Sequence, residues 1–206
     1  MWMEAKANSE AVIVLDLETT GLSPDRHAIT EIAAVKMVNG ELVDSFQTLI
    51  NPQRKIPRFI TRLTGINDEM VKDAPLIQDV LPELDKFIRG YIMVGHNISF
   101  DYRFLSANYE KHLGTLMKNE LMCTAKLARR MLPDLPSKRL GSVCEHYGYI
   151  NENAHRAMGD VNATTHVFNK MKEKLDEVGI GSFEEMLWFQ SLGCARAQRE
   201  LEKRSQ

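Results

Sequence analysis

The sequence predicts an α/β fold, with three strands first and then alternating helices and strands. Apolar stretches with strand character come first, at residues 11–16, 29–38 and 42–50. Beyond residue 75 the apolar side chains recur mainly at helical spacing. A chain of 206 residues is long enough for one compact domain with its own core and a modest extension.

The first strand is the apolar run of residues 11–16. The second strand is Ile29 to Val38 and the third is Leu42 to Ile50. Between them lie Asn39 and Gly40, which are a strong signal for a two-residue hairpin. A loop rich in Pro, Arg and Thr is expected after the third strand. Three strands therefore open the chain.

Helices and two short strands follow. A helical stripe runs from Leu76 to Ile88 and ends at Gly90, and Pro82 within it implies either a kink or a later start near Asp79. Another helix begins near Ser99. The remaining expected elements are short strands at 92–94 and 121–123 and helices at 124–131, 140–147 and 158–175.

Composition excludes several classes of protein. Hydrophobic residues make up 44% and charged residues 26%, as in soluble globular proteins, and no apolar run is long enough for a bilayer. The N-terminus lacks the pattern of a secretory signal. Cys123, Cys144 and Cys194 are odd in number and include no Cys-x-x-Cys pair, which argues against a zinc site and a disulfide framework. A cytoplasmic location is the expectation.

The net charge is -2, which argues against a protein that coats long nucleic acid through many phosphate contacts. Any nucleic acid would be bound locally. Basic residues cluster in three places, each of which is either a solvated face or a phosphate track: Arg54, Lys55, Arg58 and Arg62; Lys126, Arg129 and Arg130; Lys138 and Arg139.

Asp16 and Glu18 end the first strand. Side chains two apart on a strand point to the same side, so both carboxylates are directed at one spot. Such a pair repels unless a cation lies between, and hard oxygen ligands suit Mg²⁺ or Mn²⁺. Taken alone, the pair is equally compatible with an ordinary acidic loop at a strand end.

His155 and Asp160 are five residues apart, which on an ideal helix separates their side chains by roughly 140°. They cannot share a helix face. If both reach one site, His155 lies in the loop before the helix and Asp160 on its first turns. The alternative is a surface histidine and a surface aspartate.

Four segments together resemble the successive motifs of the DnaQ-like DEDDh 3'-to-5' exonucleases, a family that includes the proofreading epsilon subunit of bacterial DNA polymerase III. They are DLETTG (16–21), LTGI (63–66), HNISFD (96–101) and HRAMGD (155–160). The resemblance covers roughly residues 10 to 175. Val161 departs from it, since the family usually has Ala there.

The resemblance implies an RNase H-like fold with a mixed five-stranded sheet flanked by helices. It also implies that two divalent cations, Mg²⁺ or Mn²⁺, are held by four carboxylates and that His155 is the general base. The implied ligands are Asp16, Glu18, Asp101 and Asp160.

The resemblance further implies contacts with the terminal nucleotide. Thr19, Thr20 and Gly21 would lie beside it, and Leu63 and Thr64 would pack on its base. His96 and Asn97 would shape the site beside Asp101. The alternatives are that Thr19 to Gly21 only build the turn, that Leu63 is a core residue and that His96 is a satisfied partner of a backbone carbonyl.

The predicted organisation is an N-terminal extension (1–10), an exonuclease domain (11–176) and a helical C-terminal extension (177–206). The last contains Phe183, Met186, Leu187, Trp188 and Phe189 and then a charged helical stretch, Arg196 to Arg204. It is expected to pack on the domain. The alternative is docking of a homodimer mate or another protein, with Trp188 or Phe189 as an exposed anchor.

The expected activity is hydrolysis from the 3' end of DNA, at single-stranded or frayed ends, with release of nucleoside 5'-monophosphates. The protein would act in proofreading or repair, freestanding or with a polymerase or other replication partner. Two alternatives stay open: a 3'-to-5' exoribonuclease of the same fold, and a non-catalytic nucleic-acid-binding subunit.

Overall fold

The computed structural model describes residues 11–205, so the expected extension at residues 1–10 lies outside the described part of the chain. The elements follow in chain order: β1 (Ala11–Thr19), β2 (Ile29–Val38), β3 (Glu41–Leu49), α1 (Arg58–Thr64), α2 (Asp68–Val71), α3 (Ile77–Ile88), β4 (Ile92–Gly95), α4 (Ser99–Leu113), β5 (Leu121–Cys123), α5 (Thr124–Met131), α6 (Leu140–His146), α7 (Ala157–Glu177), α8 (Phe183–Ser191) and α9 (Cys194–Arg204).

The five strands form one mixed sheet in the order β3-β2-β1-β4-β5. β1 pairs antiparallel with β2 and parallel with β4. The predicted hairpin joins β2 to β3, where Asn39 and Gly40 have φ values of 52° and 83°, the left-handed backbone that a two-residue hairpin turn uses. The predicted α/β fold with a mixed five-stranded sheet is therefore confirmed, and β1 is its central strand.

Helices cover both faces of the sheet because the strands alternate their side chains. On one face, Ile13 and Leu15 of β1 pack with side chains of α3 and α4, including Leu84 and Phe104. On the other face, Val12 and Val14 pack with side chains of α5 to α8 and above all of α7. Val161 of α7, the departure from the family pattern, is fully buried there. α7 thus lies on the face that Asp16 and Glu18 continue.

Two expectations were wrong, and one open alternative is decided. β1 does not stop at Asp16 but continues to Thr19, because its last residues stay paired with β2, with Glu18 opposite Glu31. α3 begins at Ile77 and contains Pro82, so the alternative of a later start near Asp79 is excluded. The segment expected as a loop contains α1 and α2, which bury a small apolar cluster of their own: Ile56, Ile60, Ile66 and Val71.

Of the C-terminal helices, α8 packs on β5 and α5, and α9 packs on α5. Phe189 of α8 is 0% exposed, so it is not the exposed anchor that the sequence allowed for. Trp188 is 37% exposed, and the Arg204 guanidinium lies 5.9 Å from its ring centroid. A homodimer through this extension stays a prediction.

Gln190 binds the outer edge of the sheet. Its side-chain amide accepts a hydrogen bond from the Cys123 backbone N–H at 2.9 Å and donates one to the Leu121 carbonyl at 2.6 Å. These groups belong to β5, whose outer side has no strand neighbour among the described residues. α8 therefore satisfies backbone groups that an edge strand would otherwise leave unpaired.

All three cysteines are free, as expected, with Cys123 and Cys144 buried and Cys194 exposed. Within residues 11–205, none of the helices combines the length and apolar character that a membrane span requires.

Candidate active site

The end of β1 carries the two carboxylates. Because alternate residues of a strand face the same way, Asp16 and Glu18 continue the row of Val12 and Val14 toward α7. Pairing of β1 with β4 covers only Val12 to Val14, so the acidic residues project beyond the paired part of β4. A shift of register between Glu18 and Thr19 ends the regular pairing with β2 directly after Glu18.

Asp160, in the first turn of α7, joins them. One carboxylate oxygen each from Asp16, Glu18 and Asp160 can be chosen so that all three lie within 4.8 Å of one another. Three anionic oxygens at this spacing form an oxygen-only donor set, which Mg²⁺, Mn²⁺ and Ca²⁺ prefer. The structure thus brings together residues that the sequence separates by about 140 positions.

Asp101 comes from the other side of the sheet. It lies in the first turn of α4 and is 3% exposed, and its Oδ1 accepts a hydrogen bond from the Leu17 backbone N–H at 3.1 Å. Leu17 stands between Asp16 and Glu18, so this bond ties α4 to the acidic end of β1. Asp101 is not within the close trio, but its charge raises the pKa of both Asp16 and Glu18.

Nearby positive charge does not balance the acidic residues, because the attraction of Arg156 for Glu18 is outweighed by burial and by the neighbouring carboxylates. Burial, followed by repulsion from Asp101, Asp160 and Glu18, raises the pKa of Asp16 well above its ordinary value. Burial and then the charge of Asp160 raise the pKa of Glu18 to about 8, and burial raises that of Asp101 to about 7. Burial also raises the pKa of Asp160. Divalent cations would remove this penalty, so the donor set fits such ions both in chemistry and in charge.

His155 lies where the sequence predicted, in the loop directly before α7. It is exposed, and its backbone has φ 64°, a left-handed conformation that costs a residue with a Cβ roughly 1 to 3 kcal/mol. Its backbone N–H donates to Asp160 Oδ2 at 3.2 Å. The residues expected as base and as ligand are therefore linked by a hydrogen bond between the loop and the first turn of α7.

The same loop contains Asn151, a residue that no sequence motif singled out. Asn151 donates from Nδ2 to Asp160 Oδ1 at 2.6 Å, so both oxygens of Asp160 receive hydrogen bonds from the loop. Glu31 of β2 was also missed, although a signal existed: it is an acidic residue in a strand that is apolar apart from Thr30 and Lys36.

Thr19 and Thr20, two of the expected substrate contacts, form hydrogen bonds within the turn after β1. The Thr19 hydroxyl donates to the Gly21 carbonyl at 2.6 Å, and the Thr20 hydroxyl accepts from the Ala28 N–H at 3.0 Å. The side chains are 6% and 1% exposed. These threonines build the turn, as one of the alternatives held, and a nucleotide contact through the turn's backbone stays a prediction.

Leu63 and Thr64 differ in how far they are exposed to solvent. Leu63 is 50% exposed on α1, so it is not the core residue that the alternative suggested, and it is free to meet a base. Thr64 is 3% exposed, and its hydroxyl donates to the Ile60 carbonyl and accepts from the Ile66 N–H. Its side chain stabilises the end of α1 and does not face outward, which corrects its expected role in base packing.

His96 has a structural role, because both of its ring nitrogens form hydrogen bonds within the protein. Its Nε2 lies 2.8 Å from the Lys138 carbonyl and therefore donates to it, which leaves Nδ1 to accept from the Thr124 hydroxyl at 2.9 Å. Burial is the main cause that lowers its pKa. His96 is thus the satisfied partner of a backbone carbonyl, while Asn97 is exposed beside it with φ 70°.

A groove of about 1000 Å³ opens beside His155 and Asp160. Arg129, Lys138 and Arg139 lie along it, together with apolar side chains that include Tyr149 and Ile150. Two other members of the basic clusters already bind backbone carbonyls: Arg130 donates from Nε to the Leu192 carbonyl at 2.8 Å, and Arg54 donates to the Arg26 carbonyl.

Comparison with known proteins agrees with this geometry. The profile of the exonuclease family (RNase T) matches residues 13–168. The DNA polymerase III PolC-type protein of Caldanaerobacter subterraneus subsp. tengcongensis is 44% identical over 184 residues, which are 89% of this chain but 13% of that protein. The DNA polymerase III subunit epsilon of Aquifex aeolicus is 35% identical over 172 residues, 83% of this chain and 85% of that protein. The chain thus spans about an eighth of the PolC-type relatives.

Solved structures share the fold. Exonuclease X in complex with 5' overhanging duplex DNA has a TM-score of 0.70 and 28% identity, over 87% of this chain and 99% of that one. E. coli Exonuclease I with a dT13 oligonucleotide has a TM-score of 0.70 at 17% identity, over 86% of this chain and 45% of that one, which supports the fold alone. With its acidic residues assembled at the end of β1 and His155 beside them, the chain belongs to the DnaQ-like DEDDh family of 3'-to-5' exonucleases.

Proposed function

We propose that this chain removes nucleotides one at a time from the 3' end of single-stranded or frayed DNA, uses two Mg²⁺ or Mn²⁺ ions, and releases nucleoside 5'-monophosphates. The observation that carries the proposal is the acidic cluster of Asp16, Glu18 and Asp160 with Asp101 close by. The pKa values of its carboxyl groups are raised, so their ionised forms need cations to balance the charge.

Asp16, Glu18, Asp101 and Asp160 are the residues that would hold the ions. When bound, such ions lower the pKa of the attacking water and stabilise the entering and leaving oxygens of a phosphodiester. Asp101 has a further task, since its bond to the Leu17 N–H keeps the acidic end of β1 in place.

His155 would accept the proton of the attacking water on its imidazole ring. Its exposure in the loop beside the groove supports this role, because the ring can approach a substrate phosphate without displacing core residues. An imidazole exchanges protons readily near neutral pH, which suits a general base. His155→Ala should therefore slow the reaction while leaving the four carboxylates in place.

The groove supports a single-stranded substrate. Arg129 and Arg139 are exposed along it, at a position to contact phosphates of the strand, and Tyr149 and Ile150 offer apolar surface to bases. The net charge of the chain is -2, so this attraction would be local and not spread over the surface. Leu63, exposed on α1, remains the candidate for the terminal base.

The names of the relatives favour DNA and a polymerase partner. The PolC-type and epsilon relatives are DNA polymerase III proteins, and we propose that this chain also works with a polymerase in proofreading or repair. The alternatives, an exoribonuclease and a non-catalytic nucleic-acid-binding subunit, are decided by the same assay.

The test uses 5'-labelled single-stranded DNA and RNA of one sequence. Wild-type protein is incubated with Mg²⁺, Mn²⁺ or a chelator, beside Asp16→Ala as the inactive control. We expect a ladder that shortens from the 3' end, requires the metal and is absent with Asp16→Ala. Faster shortening of RNA would favour the exoribonuclease, and the absence of any ladder on either polymer would refute the proposed activity.

A further inference from the structure

Glu31 is a buried carboxylate beneath the active site that the proposed chemistry does not use. It lies in the central part of the sheet, on β2, directly opposite Glu18 of β1. Its side chain is 1% exposed. An ionised group at such a position is expensive unless it is fully hydrogen-bonded, so its partners explain why it is there.

The partners of Glu31 come almost entirely from the start of α7. Arg156 donates from Nε at 3.1 Å and from Nη2 at 2.8 Å, one bond to each carboxylate oxygen, and the Ala157 backbone N–H donates at 3.1 Å. Gln47 of β3 adds a bond at 3.2 Å. Burial alone would raise the pKa of Glu31, but these hydrogen bonds outweigh it and hold the pKa below its ordinary value, so the carboxylate stays charged.

This arrangement replaces an ordinary helix cap. The residue before α7 is Arg156, whose side chain makes no capping bond to the helix, and the first helical N–H, that of Ala157, binds Glu31 instead. A planar guanidinium held by two bonds to one carboxylate is fixed in both position and orientation. The start of α7 is therefore attached to the sheet at one defined point.

His155, in the loop before α7, and Asp160, in its first turn, both lie next to that point. His155 immediately precedes Arg156, and the Asp160 N–H donates to the Arg156 carbonyl at 3.0 Å. His155 has φ 64°, a backbone conformation that a free loop does not favour. Its own bond to Asp160 Oδ2 closes the loop on the same turn.

We propose that Glu31 and Arg156 form a positioning pair that sets the place of His155 relative to Asp16, Glu18 and Asp160. The inference rests on the proposed function of His155 as the base and extends it by two residues that touch neither substrate nor ions. The Arg156 side chain is partly exposed, so the pair joins the buried sheet to the surface loop that carries His155.

The first test compares Glu31→Gln and Arg156→Lys with Lys174→Gln, which breaks an exposed ion pair elsewhere on α7. Glu31→Gln keeps the shape but removes the charge, and Arg156→Lys keeps the charge but removes the two-bond fork. Because the Arg156 side chain is 40% exposed, Arg156→Lys should fold even if the buried variant Glu31→Gln does not. Single-turnover rates on 5'-labelled single-stranded DNA with Mg²⁺ should fall by about 10- to 100-fold for both variants and by less than about twofold for the control.

A double-variant comparison separates positioning from general damage. If the pair acts through His155, Glu31→Gln in a His155→Ala background should cost less than about threefold, because the residue it positions is already gone. Affinity for the same DNA, measured with Ca²⁺ in place of Mg²⁺, should change by less than about threefold. An equal loss of rate in both backgrounds would overturn the inference.

Hydrogen exchange provides a readout that does not depend on activity. The backbone amides of residues 155–157 should exchange at least about tenfold faster in both pair variants, with β1 unchanged. Unchanged exchange at these amides would refute the positioning role even if wild-type activity is high. An inactive wild type whose amides still respond would refute the proposed function and leave the structural role of the pair standing.

Discussion

The backbone N–H of Leu17 donates to Asp101 Oδ1 across the end of the sheet, at 3.1 Å. Leu17 separates Asp16 from Glu18, so one hydrogen bond connects three of the four acidic residues. It ties α4, on one face of the sheet, to a strand end whose row of side chains faces α7 on the other. Hydrogen bonding to the sheet therefore fixes the position of Asp101 relative to Asp16 and Glu18.

Asp16→Asn should abolish catalysis and yet leave a folded protein. The amide keeps the shape of the carboxylate but removes a negative charge from a cluster whose members raise one another's pKa. We expect the 3'-end ladder to weaken by several orders of magnitude and the melting temperature in chelator at about pH 8 to rise. Asp134→Asn, on an exposed loop, is the matched control; near-normal turnover by a verified Asp16→Asn protein would contradict the ligand assignment.

The metal-free protein should lose stability as the pH rises. The pKa is raised to about 8 for Glu18 and to about 7 for Asp101, both above the unfolded values near 4. Carboxyls with raised pKa values stabilise the fold at low pH, and that contribution disappears as the pH passes through their folded-state values.

Thermal unfolding in chelator should therefore show a melting temperature that falls between about pH 5 and about pH 8. Excess Mg²⁺ or Mn²⁺ should remove most of this slope, because the ions bind the ionised carboxylates of the folded chain. A metal-free melting temperature that rises with pH over the same interval would contradict the assigned shifts.

Gly159→Ala should reduce activity by displacing the histidine loop. A Cβ at Gly159 would lie 2.1 Å from the Asn153 carbonyl oxygen, so the loop that carries His155 would have to move. The expected result is a lower single-turnover rate with a smaller change in DNA affinity. Gly193→Ala, where an added Cβ meets no atom within 4 Å, is the control; equal rates for the two variants would show that the loop tolerates the shift.

Gln190→Ala should destabilise the fold without changing the chemistry. It removes the partners of the Cys123 N–H and the Leu121 carbonyl at the sheet edge. Loss of these buried bonds should lower the free energy of unfolding by about 1 to 3 kcal/mol in denaturant titrations. Gln78→Ala, exposed on α3, is the comparison, and a loss of rate at full folding would instead place Gln190 in the site.

Arg139→Ala should weaken DNA binding more than catalysis. Arg139 is exposed along the groove, and loss of one phosphate contact should lower affinity uniformly across sequences and reduce the salt slope by about 1. Fluorescence anisotropy with labelled single strands at several salt concentrations measures both. Arg199→Ala on α9 is a control outside the groove; an unchanged salt slope for Arg139→Ala would exclude the phosphate contact.

Residues with regular spacing could be predicted, and those that depend on distant partners could not. The hairpin at Asn39 and Gly40 and the helix from Ser99 follow from local chemistry, and both were correct. α1 was missed because it is short and starts after Pro57 without a side-chain cap. Its stability comes from burying Ile60 against α2, a contact that no local pattern announces.

The candidate site shows the same division. The carboxylates and His155 stand in motifs and were placed as expected relative to their strands and helices. Thr64 was assigned outward because a motif carries no information on which way a side chain turns at a helix end. Glu31 was missed because its role depends on hydrogen bonds from Arg156, which is 125 residues away in the chain.

β1 lies at the centre of the sheet, with paired strands on both sides, while His155 stands in an exposed loop. The central strand of a fold opens only when the whole domain unfolds, whereas an exposed loop opens in small local fluctuations. Asp16 and Glu18 on β1 should therefore leave their positions much less often than His155 leaves its position in the loop. As temperature rises, the base should be lost from its working position well before Asp16 and Glu18, so that the enzyme becomes inactive while its cation-binding half is still intact.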